Sequence, residues 1–352
     1  MSRTLVLKTI AAVLLGGAAM ADAPRVAVDI APVHSLVARV MAGVGSPDLI
    51  VPPGASPHEY NLRPSEAAAL QEADLVFWMG EDLTPWLEGA IDSLAGGATV
   101  TTLLDSDGTQ LLDIREGALF EAHDHDDHAD QDDHADHEGH DHADHDDHAD
   151  HEGHDHADHD DHGHEDEHDD HHADRHGHSH GAHDPHAWLS PQNAQNWLTL
   201  IAAQLSAADP ENAGAYYANA TAAQEDLSAL TDELTTMLAP VRGGRFIVFH
   251  DAYQYFEHAF DFPASGAISV SDATDPSPAR LAEIRARIRD EGVDCVLTEP
   301  QFNPGLVATV LEGSTAETAV LDPLGATLEP GADLYPQTIR NIARTLADCL
   351  SR

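Results

Sequence analysis

The chain has 352 residues, with 63 Asp and Glu against 16 Lys and Arg, a formal net charge of −47, and only two cysteines. Such an acid excess repels phosphates and anionic lipid, so nucleic acid and a negatively charged membrane surface are excluded as ligands. Two cysteines exclude a disulfide-dense scaffold, and the length allows two domains of about 100–200 residues each.

Arg3 and Lys8 precede an apolar run from Thr9 to Ala19, and Ala19-Met20-Ala21 supplies an A-x-A cleavage site. Residues 1–21 therefore read as a signal peptide, with a mature chain starting near Asp22. The run is shorter than the ~20 residues needed to span a bilayer. No cysteine stands at the cleavage point to carry a lipid, and no later segment is apolar enough to insert. The expectation is an exported, untethered protein.

Downstream, RVAVDI (25–30) reads as a buried strand, Val33–Met41 as a helix, and DLIV (48–51) as a second strand running into Pro52-Pro53-Gly54. Ser65–Glu72 reads as a helix with Pro64 beside its start. DLVFWM (74–79) is a third strand, Thr84–Leu94 a helix and Val100–Leu104 a fourth strand. Strands alternating with helices predict a parallel sheet covered on both faces.

From His123 to His183 the chain changes character, with 22 histidines set among Asp, Glu, Gly and Ala. A 14-residue unit recurs, as DDHADQDDHADHEG (126–139), HDHADHDDHADHEG (140–153) and HDHADHDDHGHEDE (154–167). With no apolar side chain larger than Ala it has nothing to bury, which predicts a solvated, disordered insert and not a solenoid. Residues 121–184 hold 26 acids and one arginine, Arg175, so the rest of the chain is acidic in its own right.

After the insert, Pro191–Ala208 reads as a helix, and Asp209-Pro210-Glu211 opens a longer one reaching about Ala239. A helix this long exceeds what one α/β unit needs and suits a link between two. RFIVF (245–249) begins a second α/β series. It continues with a helix at Arg280–Asp290, the strand CVLTEP (295–300), a helix at Pro304–Glu312, the strand TAVLD (318–322) and a helix at Gln337–Leu350. The predicted fold class is α/β, with two lobes joined by one long helix. The first lobe covers 22–208 with the insert at 121–184, the linking helix 209–240, and the second lobe 241–352. The isolated pair Cys295 and Cys349 is most simply one disulfide in an oxidising compartment, two buried thiols being the alternative.

Outside the insert five histidines remain, His34, His58, His186, His250 and His258. His58 lies just past the second strand and His250 directly follows RFIVF, both where open α/β sheets bind ligands. His186 lies at the end of the insert. Each alone is weak evidence of a metal. Three together, beside a histidine-rich tract, point to a metal site, and zinc is one metal that takes imidazole nitrogen and carboxylate oxygen, usually in a tetrahedron. His34 and His258 read as a structural and a surface residue. Phe77, Trp78, Trp86, Trp188 and Trp197 read as core or cleft wall.

Six segments, PGASPHEYNLRPS (53–65), DPHAWLSP (184–191), FIVFHDAYQYFE (246–257), SVSDATDPSP (269–278), TEPQF (298–302) and LDPLG (321–325), resemble the zinc-specific periplasmic solute-binding proteins of ABC importers. The resemblance runs from about Arg25 to Leu350 and includes the insert. It implies two α/β lobes bridged by a rigid helix, with zinc in the cleft between them, and a membrane permease as partner. By motif position it implies His58, His186 and His250 as metal ligands and a Cys295–Cys349 disulfide. Relatives that take manganese carry glutamate where His250 stands, and imidazole favours zinc there. Some zinc members carry a glutamate just before the first histidine, where this chain has Pro57. That leaves the fourth ligand to Asp322, at the end of TAVLD, or to water. Glu59 is expected to orient an imidazole. The insert reads as a collector or sensor of weakly held zinc. Two rival functions remain. One is a hydrolase with zinc on three histidines, for which the H-E-x-x-H and G-x-S-x-G motifs are missing. The other is a zinc buffer or adhesin without a transporter. A free monomer is expected.

Overall fold

Alternation of side chains along each strand decides the layers. In the computed structural model, which describes residues 23–115, 120, 183–269, 276–302 and 304–351, the first half runs β1 (Val26–Val28), α1 (Ala31–Val40), β2 (Asp48–Leu49), α2 (Pro64–Glu72), β3 (Leu75–Trp78), α3 (Pro85–Leu94) and β4 (Thr99–Thr102). Two helices follow, α4 (Pro191–Ala208) and α5 (Ala213–Leu238). The second half runs β5 (Phe246–His250), α6 (Gln254–Phe260), β6 (Ala267–Ser269), α7 (Pro278–Asp290), β7 (Cys295–Thr298), α8 (Pro304–Leu311), β8 (Glu317–Val320) and α9 (Leu334–Leu350).

Both sheets are parallel and share one topology, β2-β1-β3-β4 in the first and β6-β5-β7-β8 in the second. Successive side chains face opposite ways. Val26, Val28, Leu75 and Phe77 therefore enter one core with Phe246, Val248 and Leu297. Their neighbours Ala27, Val76 and Trp78 pack outward with Leu70, Leu87 and Ile91 of α2 and α3. On the second sheet Ile247, Phe249 and Val296 pack outward with Ile284, Ile288, Val307 and Val310 of α7 and α8.

The shared core is completed by α1, α4, α5 and α9. Along α5 the buried residues Tyr216, Ala220, Ala223, Leu227, Leu230, Leu234 and Leu238 recur every three or four positions, one stripe of a 3.6-residue helix. The helix is 26 residues long, about 39 Å at the rise of an α-helix, and packs on α1, α4 and α9. It thus joins first-half and second-half elements along its length. Proline sits in the first turn of α2, α3, α4 and α7, where its missing N–H costs no helical hydrogen bond.

Cys295 at the start of β7 and Cys349 near the end of α9 form a disulfide, with Cα atoms 6.1 Å apart across a separation of 54 residues. A loop of that length stabilises the fold by about 4 kcal/mol on the chain-entropy account. The long link is an α-helix from Ala213, preceded by a single 3-10 turn at Pro210–Asn212. Two elements differ from expectation. The second strand is bounded at Asp48–Leu49, shorter than the expected 48–51, although the Ile50 and Val51 amides continue to donate to the Val28 and Asp29 carbonyls (2.8 Å each). Strand β6, three small or medium residues long, carried no strand signature in the sequence. The signal peptide, and the insert apart from its last two residues, lie outside the described residues. Among the described residues no helix is long and apolar enough to cross a membrane.

Candidate metal centre

His58 comes from the loop after β2, and the loop's own hydrogen bonds fix it. The His58 N–H donates to Ser56 Oγ (3.2 Å). The Trp86 indole N–H donates to the Pro57 carbonyl (2.7 Å), which fastens the loop to α3. Tyr60 donates to the Glu66 carboxylate (2.8 Å), which also accepts the Arg63 amide (2.7 Å) at the start of α2. Pro52, Pro53 and Gly54 turn the chain into this loop, with Gly54 at φ +84°.

His186 precedes a single 3-10 turn, Ala187–Leu189, that leads into α4. Its position rests on Asp184, two residues earlier. Asp184 Oδ1 accepts both the His186 backbone N–H (2.9 Å) and ring Nδ1 (2.7 Å). Ser190 then caps α4 by accepting the Asn193 amide. Trp188 lies with its ring 5.2 Å from the His186 ring and donates to the Pro323 carbonyl (2.9 Å) in the second half. In DPHAWLSP, Asp184 places the imidazole while Ser190 and Trp188 anchor the segment that carries it.

His250 is the last residue of β5, a strand buried at all five positions. Glu299, which follows β7, repeats the arrangement seen at Asp184. Its Oε1 accepts ring Nδ1 of His250 (2.7 Å) and, at 3.4 Å, the His250 backbone N–H. Phe302 stacks on Phe249 and tilts against the His250 ring at 5.4 Å. A carboxylate accepts, so in both pairs Nδ1–H is the donor and Nε2 keeps its lone pair for a metal. Burial pushes the Asp184 carboxyl up to about 7, against the lowering effect of the His186 amide and of Arg115.

The three histidines converge. One ring nitrogen of each lies within 4.8 Å of the others. Adjacent rings stand 5.5 Å (His58–His186) and 5.3 Å (His186–His250) apart. Tetrahedral zinc with bonds of ~2.0–2.1 Å needs ligand nitrogens about 3.3–3.4 Å apart, a spacing inside that bound. The space they border is about 20 Å³ and is also walled by Ser56, Pro57, Glu299, Gln301, Phe302 and Leu324. One water alone needs about 10–15 Å³, so the space is on the scale of an ion with a water beside it.

Asp322 lies outside this group. Its Oδ1 accepts the Leu324 (3.1 Å) and Gly325 (2.9 Å) amides, with Ala326 and Thr327 also hydrogen-bonding to the carboxylate. It holds the turn in which Gly325 takes φ +70°. Burial nevertheless pushes its carboxyl up. Glu59 is exposed, and the carboxylates that hold imidazoles are Asp184 and Glu299. His34 sits in α1 with Nε2 3.1 Å from the Pro47 carbonyl, away from the cluster, and His258 is exposed.

Sequence reasoning missed Arg115. Its guanidinium bonds Asp251 (Nε–Oδ2 3.0 Å), the residue after His250, and Glu257 of α6 (Nη1–Oε2 2.8 Å). It ties the chain ahead of the insert to the strand end that carries a ligand. No local pattern marks it, because both partners lie more than 130 residues away.

The profile of the family described as zinc-uptake complex component A periplasmic, ZnuA, matches residues 26–349. The chain is 48% identical over 337 residues to the high-affinity zinc uptake system protein ZnuA of Brucella suis biovar 1 (strain 1330), covering 96% of this chain and 95% of that one. It is 45% identical to the protein of the same description from Paracoccus denitrificans (strain Pd 1222), with 96% of each covered. Among solved structures, a crystal structure of ZnuA superposes with a TM-score of 0.68 at 20% identity, covering 94% of this chain and 100% of that one. A mutant of the laminin-binding adhesin of Streptococcus agalactiae superposes at 0.67 and 20% identity, covering 93% and 99%. These two likenesses concern the fold.

Proposed function

Because the chain belongs to the ZnuA family, the periplasmic component A of zinc-uptake complexes, we propose that it captures Zn(II) in the periplasm and delivers it to the permease of an ABC importer. The observation that carries this reading is the convergence of His58, His186 and His250 from three separate segments onto one ion-sized space. Zinc is the cargo. Imidazole nitrogen suits it better than manganese, calcium or magnesium, which favour oxygen. Asp184 and Glu299 lock two of the rings with Nε2 outward, which lowers the ordering cost of binding.

His58, His186 and His250 are the proposed ligands. For the fourth position the two candidates are Asp322 and water, and the turn amides already held by Asp322 favour water. A hydrolytic role is disfavoured by the commitment of both neighbouring carboxylates to imidazoles, which leaves neither free as a general base. In the same reading, residues 1–21 are removed on export, 22–208 and 241–352 act as lobes about the 209–240 link, and the mature protein works as a monomer. The insert at 121–184 gathers further, weaker zinc.

Competitive titration with a chromophoric chelator tests the site, on protein lacking residues 123–183 so that insert histidines do not mask it. One tight zinc per chain is expected, lost in the His58→Ala/His186→Ala/His250→Ala triple variant. Tight binding by that variant would refute the ligand set. Zinc-dependent growth of cells that carry the protein with and without its permease separates import from a buffering or adhesive role.

A further inference from the structure

We propose that Gln301 holds the water that completes the coordination of the bound ion, making it a positioning residue for the cargo. The proposal rests on the reading of His58, His186 and His250 as zinc ligands. Gln301 stands two residues beyond Glu299 and walls the same space as the three imidazoles. Both ends of its amide, Nε2 and Oε1, are shut off from solvent, and neither has a hydrogen-bond partner among the described residues. A buried amide left unpaired carries its whole desolvation cost, and native proteins keep few such groups without a ligand or an ordered water to satisfy them.

The carboxylates nearby are already committed. Glu299 holds His250, Asp184 holds His186, and the Asp322 carboxylate receives the amides of the 324–327 turn. Three histidines leave one tetrahedral corner open, and about 20 Å³ leaves room for about one water. A water on zinc becomes a strong donor, and Oε1 is an acceptor with nothing else to accept. A neutral amide accepts that hydrogen bond without itself acting as a base or occupying the metal, so the corner stays exchangeable, as suits an ion that must be handed on.

The test uses the full chain, loaded in parallel with no more than one equivalent of zinc or of Co(II) as a spectroscopic substitute, so that the weaker histidines of the insert stay empty. Gln301→Ala and the nearly isosteric Gln301→Met remove both polar ends, and Met also preserves volume. Each is expected to weaken zinc 10–100-fold, the range for loss of a group that supports a ligand. The visible Co(II) bands should shift while keeping four-coordinate intensity, and the thermal midpoint of the metal-free protein should not fall. Gln301→Glu is expected to bind more tightly, with a further band shift as a carboxylate enters or ionises the water. Affinity within twofold of the parent and unchanged Co(II) bands in both Gln301→Ala and Gln301→Met would overturn the proposal. Retention of tight zinc by the triple histidine variant would overturn the site reading beneath it, a distinct result.

Discussion

The two sheets repeat one strand order, yet the crevices at their strand ends are put to opposite uses. In each, the chain steps from the first strand to one neighbour and then returns to pair a third strand on the other side, which opens a crevice at the carboxyl ends. In the first sheet that place is taken by Asp29, whose carboxylate accepts the Ile30 and Met79 amides at 2.7 Å each. It knits β1 to β3 and seals the crevice. In the second sheet the place is taken by His250 and, across from it, Glu299. The first half instead contributes His58 from the loop after β2. Topology supplies the location, and the residue type decides whether it becomes a seam or a site.

The largest effect that sharpens this contrast should come from the site side. His250→Ala is expected to raise the zinc dissociation constant by well over 100-fold, beyond what loss of an orienting partner gives, as measured by chelator competition. A change below tenfold would mean that the second crevice is as inert as the first. Next, Glu299→Gln keeps an acceptor but removes the charge that fixes the His250 ring. About tenfold weaker binding is expected, with the thermal midpoint of the metal-free protein nearly unchanged. Asp322→Ala should cost less zinc affinity than loss of any histidine, and its main effect should be lower stability from release of the 324–327 amides. A zinc complex with the Asp322 carboxylate within ~2.2 Å of the metal would instead make it a ligand.

The smallest effect on zinc, within twofold, is expected for Asp29→Asn, and here pH is the better probe. Burial pushes the Asp29 carboxyl up to about 7, against the Met79 and Ile30 amides, so between about pH 4 and 7 the folded protein binds the extra proton. Its contribution to stability is then complete below the unfolded pKa near 4 and falls as pH rises through 7. Asn removes that decline, so the stability difference between Asp29→Asn and the parent should shift in the variant's favour from pH 4 to pH 7 in denaturant titrations. A pH-independent difference would show that the seam is not linked to protonation.

Much of this was legible in the sequence because it is local. RVAVDI and RFIVF announce buried strands through their apolar runs, the stripe on α5 through its spacing, His58 and His250 through strand-end context, and His186 through its place at the end of the insert. Asp184 was legible in principle, since a carboxylate two residues before a ligand can reach both its amide and its ring. Glu299 was not, because its partner lies 49 residues away and only the β5–β7 pairing brings them together. Asp322 was ambiguous for a chemical reason. An Asp before Pro-Leu-Gly makes a turn as readily as it binds a metal, and the backbone amides decide between the two. Strand β6 left no trace, because three residues, Ala267-Ile268-Ser269, carry too little periodicity to read.

The shared core also dictates when the molecule can finish folding. Helix α9 packs against α1 and α5, and the Tyr335 amide donates to Ser35 Oγ across 300 residues of chain (2.9 Å). Tyr335 further donates to the Trp188 carbonyl, next to a proposed ligand. Contacts this distant pay their loop-closure entropy before they return any stability. A chain emerging from its first residue onward can pair β1, β2 and β3 early, but the inner faces of both sheets stay wet until α9 arrives. During that interval apolar strands are exposed to neighbours and to proteases. A deeply acidic chain gains from its charge at that stage, when mutual repulsion keeps half-built copies apart.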